Sequence, residues 1–420
     1  MSRIEYKNSG IFWQPFIPKS WHVTRLKYIL KKLSREKGAD DELLVCSNSG
    51  DIKKRGDSRL GLVANSNDIY QGVRSGDLLI HGMDTWHGAI AVSKFDGMCT
   101  PVVHVCDSSQ NKEYVATYLR NMASQQIFKL ISNGVRQNTS DFRSWDKLSR
   151  IPIPLPPLVE QEKIVSYLED KTSKIDEVIL AKEKQIKLLQ ELKDAEIANV
   201  ITRGLNPDVK MKRYDSLLSS ECPEHWCITR NKSFMSLVGE KVGRQSVIYT
   251  LLSLSTKGVI IRDVESGKGK FPKDFDTYQI VQRGELVFCL FDIDETTRTV
   301  GIVETCGMVT GAYTVLRVNE KYAIPEYVYY YYLCVDNIKA LKPYYSGLRK
   351  TVRADKFLQL YIPVPSVEEQ RTIIAYIENK NNKIEALVKN LEAEIAYLKE
   401  YKQKLVADCV TGQINVQCEQ

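Results

Sequence analysis

The sequence predicts an α+β fold: two related α/β modules separated by two long helices that form an antiparallel coiled coil, an internal repeat with pseudo-two-fold symmetry. Three observations predict it. A segment recurs 209 residues downstream (370 − 161), each copy opens with short β-rich runs bounded by Gly, Asp and Ser, and each copy closes on a long heptad-patterned stretch.

The repeat comes first. Ile153-Pro-Leu-Pro-Pro-Leu-Val-Glu-Gln161 returns as Ile362-Pro-Val-Pro-Ser-Val-Glu-Glu-Gln370, and the match runs on without a gap. Ile164, Tyr167, Lys171 and Ile175 align with Ile373, Tyr376, Lys380 and Ile384. Upstream, Pro18, Trp21 and Arg25 match Pro223, Trp226 and Arg230, and Glu113-Tyr-Val115 through Gly134 and Arg136 match Glu326-Tyr-Val328 through Gly347 and Arg349. The expected boundaries are 1–155 for the first module, 156–204 for the first long helix, 205–364 for the second module and 365–415 for the second long helix.

Within each module, Asp77–His81, Ala89–Val92, Glu285–Cys289 and Tyr313–Val318 read as strands, followed by helices at about 111–132 and 325–341. The Pro-rich entries exclude helix upstream of each long helix. Ser366-Val-Glu-Glu369 reads as a capping box whose serine and glutamate both satisfy free N–H groups, whereas Pro157 stands at the matching place in the first copy and requires another cap. Ile384, Val388, Leu391, Ile395, Leu398 and Leu405 form a seam of 3.5-residue spacing, interrupted by Lys402. Ile175, Ile179, Ile186 and Leu189 repeat it, with Lys182 and Lys193 interrupting. A first helix running from module to module and a second starting at the second module can pair only antiparallel. This expectation puts the modules at opposite ends of a rod about 60 Å long.

Bulk properties narrow the class. The chain has 420 residues, 43% hydrophobic and 26% charged, with no apolar run of the roughly 18 residues a membrane span needs. The opening MSRIEYKNSG has no apolar signal core, so a cytosolic protein with its ten cysteines reduced is expected, and no membrane partner. A net charge of +7 fits a polyanion partner without requiring one.

No catalytic chemistry is found in the residues. The only Pro-Pro pair, Pro156-Pro157, lies at a helix entry rather than in the Asn/Asp-Pro-Pro-aromatic loop that a DNA methyltransferase uses. Gly267-Lys-Gly269 is a lone G-x-G in a charged turn, and no phosphate-binding G-x-x-x-x-G-K-[ST] occurs. Glu169-Asp-Lys171 and Glu191-Leu-Lys193 lie on the long helix as solvated charge. His81 and His87 near Asp84 have the residue types of a metal site, but the second module offers Cys289 and no histidine there. No cofactor, metal or catalytic residue is expected.

The Pro-rich entry followed by Glu160-Gln161 or Glu369-Gln370, the helix endings Ile201-Thr-Arg-Gly204 and Val410-Thr-Gly412, and the Pro-x-x-Trp module openings resemble the specificity subunit of type I restriction-modification enzymes. The resemblance covers nearly the full length. It implies that each module is a target recognition domain reading one half of a bipartite, asymmetric site on double-stranded DNA. It further implies that the helices dock DNA methyltransferase subunits, and that the assembly takes in ATP-dependent restriction subunits. A structural adaptor, whose coiled coil joins two protein-binding modules, is the alternative.

Arg and Lys pair with phosphate or guanine, and Asn or Gln with adenine, so polar residues in Gly-bearing loops are the candidate DNA contacts. In the first module they are Asn48, Ser49, Lys53, Lys54, Arg55, Arg136, Gln137 and Asn138. In the second they are Ser255, Thr256, Lys257, Arg349, Lys350 and Arg353. The repeated Gly-x-Arg, ending at Arg136 and Arg349, is expected to touch phosphate rather than base, because the two half-sites need not share a sequence, with an arginine bracing the junction between module and helix as the alternative.

Overall fold

The computed structural model describes residues 4–56, 69–132, 142–262 and 275–416. They form two compact units, one of residues 1–182 with 392–420 and the other of residues 183–391. The long helices, Leu158–Arg203 and Val367–Val410, each contribute one part to each unit.

The first unit is built on a four-stranded antiparallel sheet in the order Leu30–Lys32, Val103–Ser108, Leu78–His81, Ile90–Val92. Side chains alternate across it as the pleat requires. Leu78, Ile80, Ile90 and Cys106 face the helix Lys112–Ser124, which buries Tyr114, Val115, Tyr118, Leu119 and Met122. Leu79, Val103 and Val105 face the other way, onto Leu44, Val73 and Cys99. Asn111 caps the helix by accepting the Tyr114 N–H at 3.0 Å. The helix is shorter than the expected 111–132: it stops at Ser124 because Gln126 turns left-handed (φ +60°), and a separate short helix, Ile127–Ile131, follows.

The second unit repeats the plan. Its sheet runs Met235–Val238, Thr314–Val318, Leu286–Phe288, Val300–Ile302, and its helix is Pro325–Asn337, with proline at the first position where no N–H is needed. This helix also ends before the expected residue 341. Buried Asp336 is held there by the Thr299 N–H and hydroxyl, and Lys339 leaves the helix at φ +50°. Each unit also has a short ladder feeding its long helix: His22–Arg25 with Pro152–Leu155, and Cys227–Arg230 with Tyr361–Val364.

The helix seams are visible unit by unit. In the first, Ile179, Ile395 and Leu405 are buried, Lys402 reaches both carboxylate oxygens of Asp176 at 2.6 Å, and Lys182 is ion-paired with Glu394. In the second, Ile197 and Ile384 are buried and Lys193 bonds Glu385 at 2.8 Å. In each unit one helix ascends in number as its partner descends, so the segments are antiparallel. The lysines that break the apolar pattern are half-buried: their stems lie in the seam and their ammonium groups reach across it.

Candidate nucleic-acid interface

The motif residues of each unit converge on one buried knot. Gln161, fully buried, accepts the Asn111 N–H at 3.0 Å and donates to Gln110 Oε1 at 2.9 Å and to the Pro156 carbonyl at 2.8 Å. Gln370 accepts the Ile324 N–H at 2.8 Å and donates to the carbonyls of Tyr322 at 3.1 Å and Pro365 at 2.9 Å. The glutamates beside them accept from tryptophan: Trp21 Nε1 to Glu160 at 2.9 Å, and Trp226 Nε1 to Glu369 at 3.0 Å. This corrects the expected capping box. Ser366 does cap, accepting the Glu369 N–H at 3.2 Å, but the Glu369 carboxylate turns to Trp226 and to His225 at 2.9 Å, where it satisfies a buried indole N–H.

The helix ends close each knot. Gly412 (φ +75°) lies so near the Pro18 ring that a Cβ would meet its carbons at 2.6 Å, and Gly204 (φ +73°) lies beside Glu369 and Trp226, which a Cβ would meet at 3.2 and 3.4 Å. Tyr114 and Tyr327 are fully buried between these parts, their hydroxyls within 3.3 Å of the Pro154 and Pro363 carbonyls respectively. Burial pushes both phenols well above their ordinary pKa, so they remain donors. The knot is a frame, and the candidate DNA contacts lie in the loops.

The candidate residues fall on two kinds of element. Asn48 and Ser49 sit at the tip of the hairpin Leu44–Cys46/Ile52–Lys54, with Lys53 and Lys54 on its returning strand and Arg55 just beyond, its N–H on the Leu43 carbonyl. The tip rests on the stem of Arg120, which a Cβ at Gly50 would meet at 2.5 Å. Ser49 is committed to the turn through Ser47 and Asp51, and Lys54 is ion-paired with Glu42. Ser255, Thr256 and Lys257 form the tip of the matching hairpin of the second unit, Leu252–Ser255/Gly258–Ile261. There the Ser255 hydroxyl serves the turn, donating to the Gly258 carbonyl at 3.1 Å, while Thr256 and Lys257 are exposed. Arg136, Gln137 and Asn138 lie outside the described residues.

Arg349 and Lys350 lie on a second element of the second unit, a tight turn closed by paired backbone bonds between Ser346 and Thr351 at 2.9 and 3.0 Å. The loop after strand Leu286–Phe288 holds this turn. The Asp292 N–H reaches the Arg349 carbonyl at 3.0 Å, the Val352 N–H reaches the Leu290 carbonyl at 2.8 Å, and Asp294 takes Lys350 at 3.1 Å, Lys342 at 3.4 Å and the Tyr345 hydroxyl at 3.2 Å. The Lys350 and Lys342 ammonium groups hold the Asp294 carboxyl below its ordinary pKa. The same loop reaches the hairpin: Phe291 stacks on Tyr313 at 6.4 Å, and the Tyr313 hydroxyl lies beside Ser253 and the Leu254 backbone. Both candidate elements of this unit thus border one loop. Arg353 is spoken for by Asp355 at 3.0 Å. Among the described residues, Lys53, Lys257 and Arg349 are the candidate cations that are exposed and carry no ion pair.

Sequence reasoning missed Asp292 and Asp294, whose acidic side chains carry no hint of anchoring a basic turn more than fifty residues downstream (346 − 294 = 52). In the first unit, His81 Nδ1 accepts the Asp84 N–H at 3.1 Å, and burial lowers the pKa of its imidazole.

The sequence pattern described as the type I restriction modification DNA specificity domain matches the chain twice, over residues 88–188 and 290–397. The chain belongs to the specificity-subunit family of type I restriction-modification systems. It is 22% identical over 441 residues to the putative type I restriction enzyme MjaX specificity subunit of Methanocaldococcus jannaschii, covering 95% of each chain. It is 23% identical over 419 residues to the MjaVIII specificity subunit of the same organism, covering 95% of this chain and 94% of that one. In fold it resembles a chain solved for the structural basis of complex assembly and conformational transition of the type I R-M system (TM-score 0.67, 16% identity, 95% of this chain and 99% of that one). It also resembles the HsdS subunit from Thermoanaerobacter tengcongensis (TM-score 0.53, 16% identity, 95% and 98%). As a specificity subunit it is the DNA-binding, non-catalytic component of such a system. Among the described residues no helix is long and apolar enough to cross a membrane.

Proposed function

We propose that each module, 1–155 and 205–364, reads one half of a bipartite, asymmetric duplex target in the cytosol, while the long helices at 156–204 and 365–415 dock methyltransferase subunits and, through them, ATP-dependent restriction subunits. The observation that carries this reading is a repeated frame with unlike surfaces. Gln161 and Gln370, Glu160 and Glu369, and Tyr114 and Tyr327 are placed alike in the two units, yet the matching hairpin tips carry Asn48-Ser49 in one and Thr256-Lys257 in the other. Equal frames with different loops suit two different half-sequences. Docking is supported by exposed apolar residues at matched places on the long helices, off the seam. Val178, Leu188 and Leu192 correspond, 209 residues on, to Leu387, Tyr397 and Tyr401, and all six are exposed.

The test is binding of the full chain to its methylated-site sequence across a salt series, with and without methyltransferase subunits. Affinity falling steeply with salt, and methyl transfer only when those subunits are added, is expected. DNA binding that is absent or salt-independent would leave the adaptor reading in its place. Leu188→Glu with Tyr397→Glu should abolish co-purification of the methyltransferase and leave DNA binding intact.

A further inference from the structure

Leu348 stands at the apex of the turn Gly347–Lys350, and its relative exposure is 104%. Single exposed leucines are common on protein surfaces, but a leucine on a pliant loop can lie down against apolar neighbours, and this one is kept from doing so. The turn is closed by the Ser346–Thr351 pair and by the Lys350 N–H on the Gly347 carbonyl at 3.2 Å, and is fastened from below through Asp292, Asp294 and Leu290. Lys350 (φ +44°) and Asp292 (φ +47°), one on each side of that fastening, hold left-handed backbone that lysine in particular rarely adopts. Such conformations persist only where the surroundings enforce them. The turn therefore presents an apolar tip, wetted on all sides, at a fixed height. Arg349, without an ion pair among the described residues, adjoins it, with Lys350 and Lys342 behind.

An apolar tip beside an exposed guanidinium matches one ligand surface well: a polyanion whose interior is apolar and reached from its edge. Duplex DNA has phosphates outside and stacked bases within, and leucine side chains pushed between base pairs unstack them and kink the helix. We propose that Leu348 is a wedge that enters a base step of the half-site bound by the second module, with Arg349 on a flanking phosphate. This rests on the reading that the module binds duplex DNA, and it adds a deformation of the target to that reading. Thymine-methyl contact, the other use of an exposed aliphatic side chain in a groove, needs one face of the leucine, whereas here the whole side chain stands clear of the protein.

Because Leu348 touches no core residue, replacing it tests binding without endangering the fold. Duplexes carrying 2-aminopurine at successive positions of the half-site are titrated with the full chain, in the absence of methyltransferase so that no base flipping contributes. Wild type should brighten the probe at one step, Leu348→Met should keep the signal, and Leu348→Ala should lose it. Leu348→Ala should also bind its target roughly tenfold more weakly while keeping the salt dependence of the wild type, since its phosphate contacts are intact. Equal affinity and equal probe signal for wild type and Leu348→Ala would overturn the wedge and leave DNA binding standing. So would an affinity loss without any unstacking signal in the wild type that deoxyuridine in place of thymine reproduces, which would make Leu348 a methyl contact. Absence of salt-dependent duplex binding by the wild type would overturn both the wedge and the reading beneath it.

Discussion

Gln370→Glu is a change of one amide to one carboxyl, and its effect follows from the three bonds the amide makes. Its carbonyl oxygen accepts the Ile324 N–H, which a carboxylate does equally well. Its NH2 group donates to two carbonyls, Tyr322 and Pro365, and an ionised carboxylate there faces two acceptors with nothing to donate. At a fully buried site the least costly remedy is to bind a proton. Protonating a carboxyl of ordinary pKa about 4.3 costs about 4 kcal/mol at pH 7.5, and the neutral acid still lacks one of the two donors, worth a further 1 kcal/mol or so. The introduced carboxyl has a folded-state pKa above its unfolded one, so the unfolded state loses its proton first and stability falls as pH rises through the folded value. The expected result is a loss of about 5 kcal/mol at pH 7.5 that shrinks by about 1.4 kcal/mol per pH unit on acidification, to near 1 kcal/mol by pH 4.5. Gln370→Ala, which has no titrating group, should be destabilised independently of pH. Trp226 is the only one of five tryptophans in the second unit and lies in the same knot, so 5-fluorotryptophan NMR during urea unfolding reads this unit by its own resonance. A loss below 1 kcal/mol at pH 7.5, or one that stays flat between pH 5 and 7.5, would refute the reasoning. Gln161→Glu should behave alike in the first unit.

Other outcomes are expected from the same structure. Arg349→Ala should weaken duplex binding and lower the log–log salt slope by about one, and Lys257→Ala likewise, whereas Arg353→Ala, already paired with Asp355, should change the slope little, as a filter-binding salt series will tell. Gly412→Ala forces a Cβ into the Pro18 ring at a positive φ and should lower the melting temperature by several degrees, given a destabilisation of about 2 kcal/mol. Burial pushes the thiols of Cys46, Cys99, Cys106 and Cys334 up to about 12, so iodoacetamide at pH 8 followed by peptide mass spectrometry should label exposed Cys227 and Cys306 and spare these four. Because their folded pKa values are raised, the same thiols make stability decline as the pH rises above their ordinary value of 9.0, measurable by urea unfolding.

The parts of the fold legible in sequence are those fixed by period and repetition. A 3.5-residue seam and a 209-residue offset state the long helices and the duplication, and the short unbroken apolar runs in Leu78–His81 and Leu286–Phe288 mark strands that bury both faces of a pleat. What escaped depended on long-range partners. Glu369 has the spacing of a capping residue, and only the arrival of Trp226, 143 residues away in sequence, draws its carboxylate elsewhere. Gln126 ends its helix by a backbone conformation for which its side chain carries no signal. In the loops, residue type identified possible DNA contacts but could not tell Arg349, free among the described residues, from Arg353, neutralised by a carboxylate two residues on.

The first unit takes residues from both ends of the sequence, whereas the second is a single uninterrupted stretch. Tyr6 and Gln14, near the beginning, bond the carbonyls of Gly412 and Thr411, near the end, at 3.3 and 3.0 Å. Synthesis on the ribosome proceeds from the other side of that bond. The module made first must wait, its Trp21 knot open and its Leu405, Cys409 and Val410 contacts unmade, until nearly all the chain has emerged. The unit encoded second has all its parts as soon as residue 391 is out. The order in which the halves become stable is thus the reverse of the order in which they are begun, and the earlier half spends the whole of translation with apolar surface uncovered, when aggregation is most favoured.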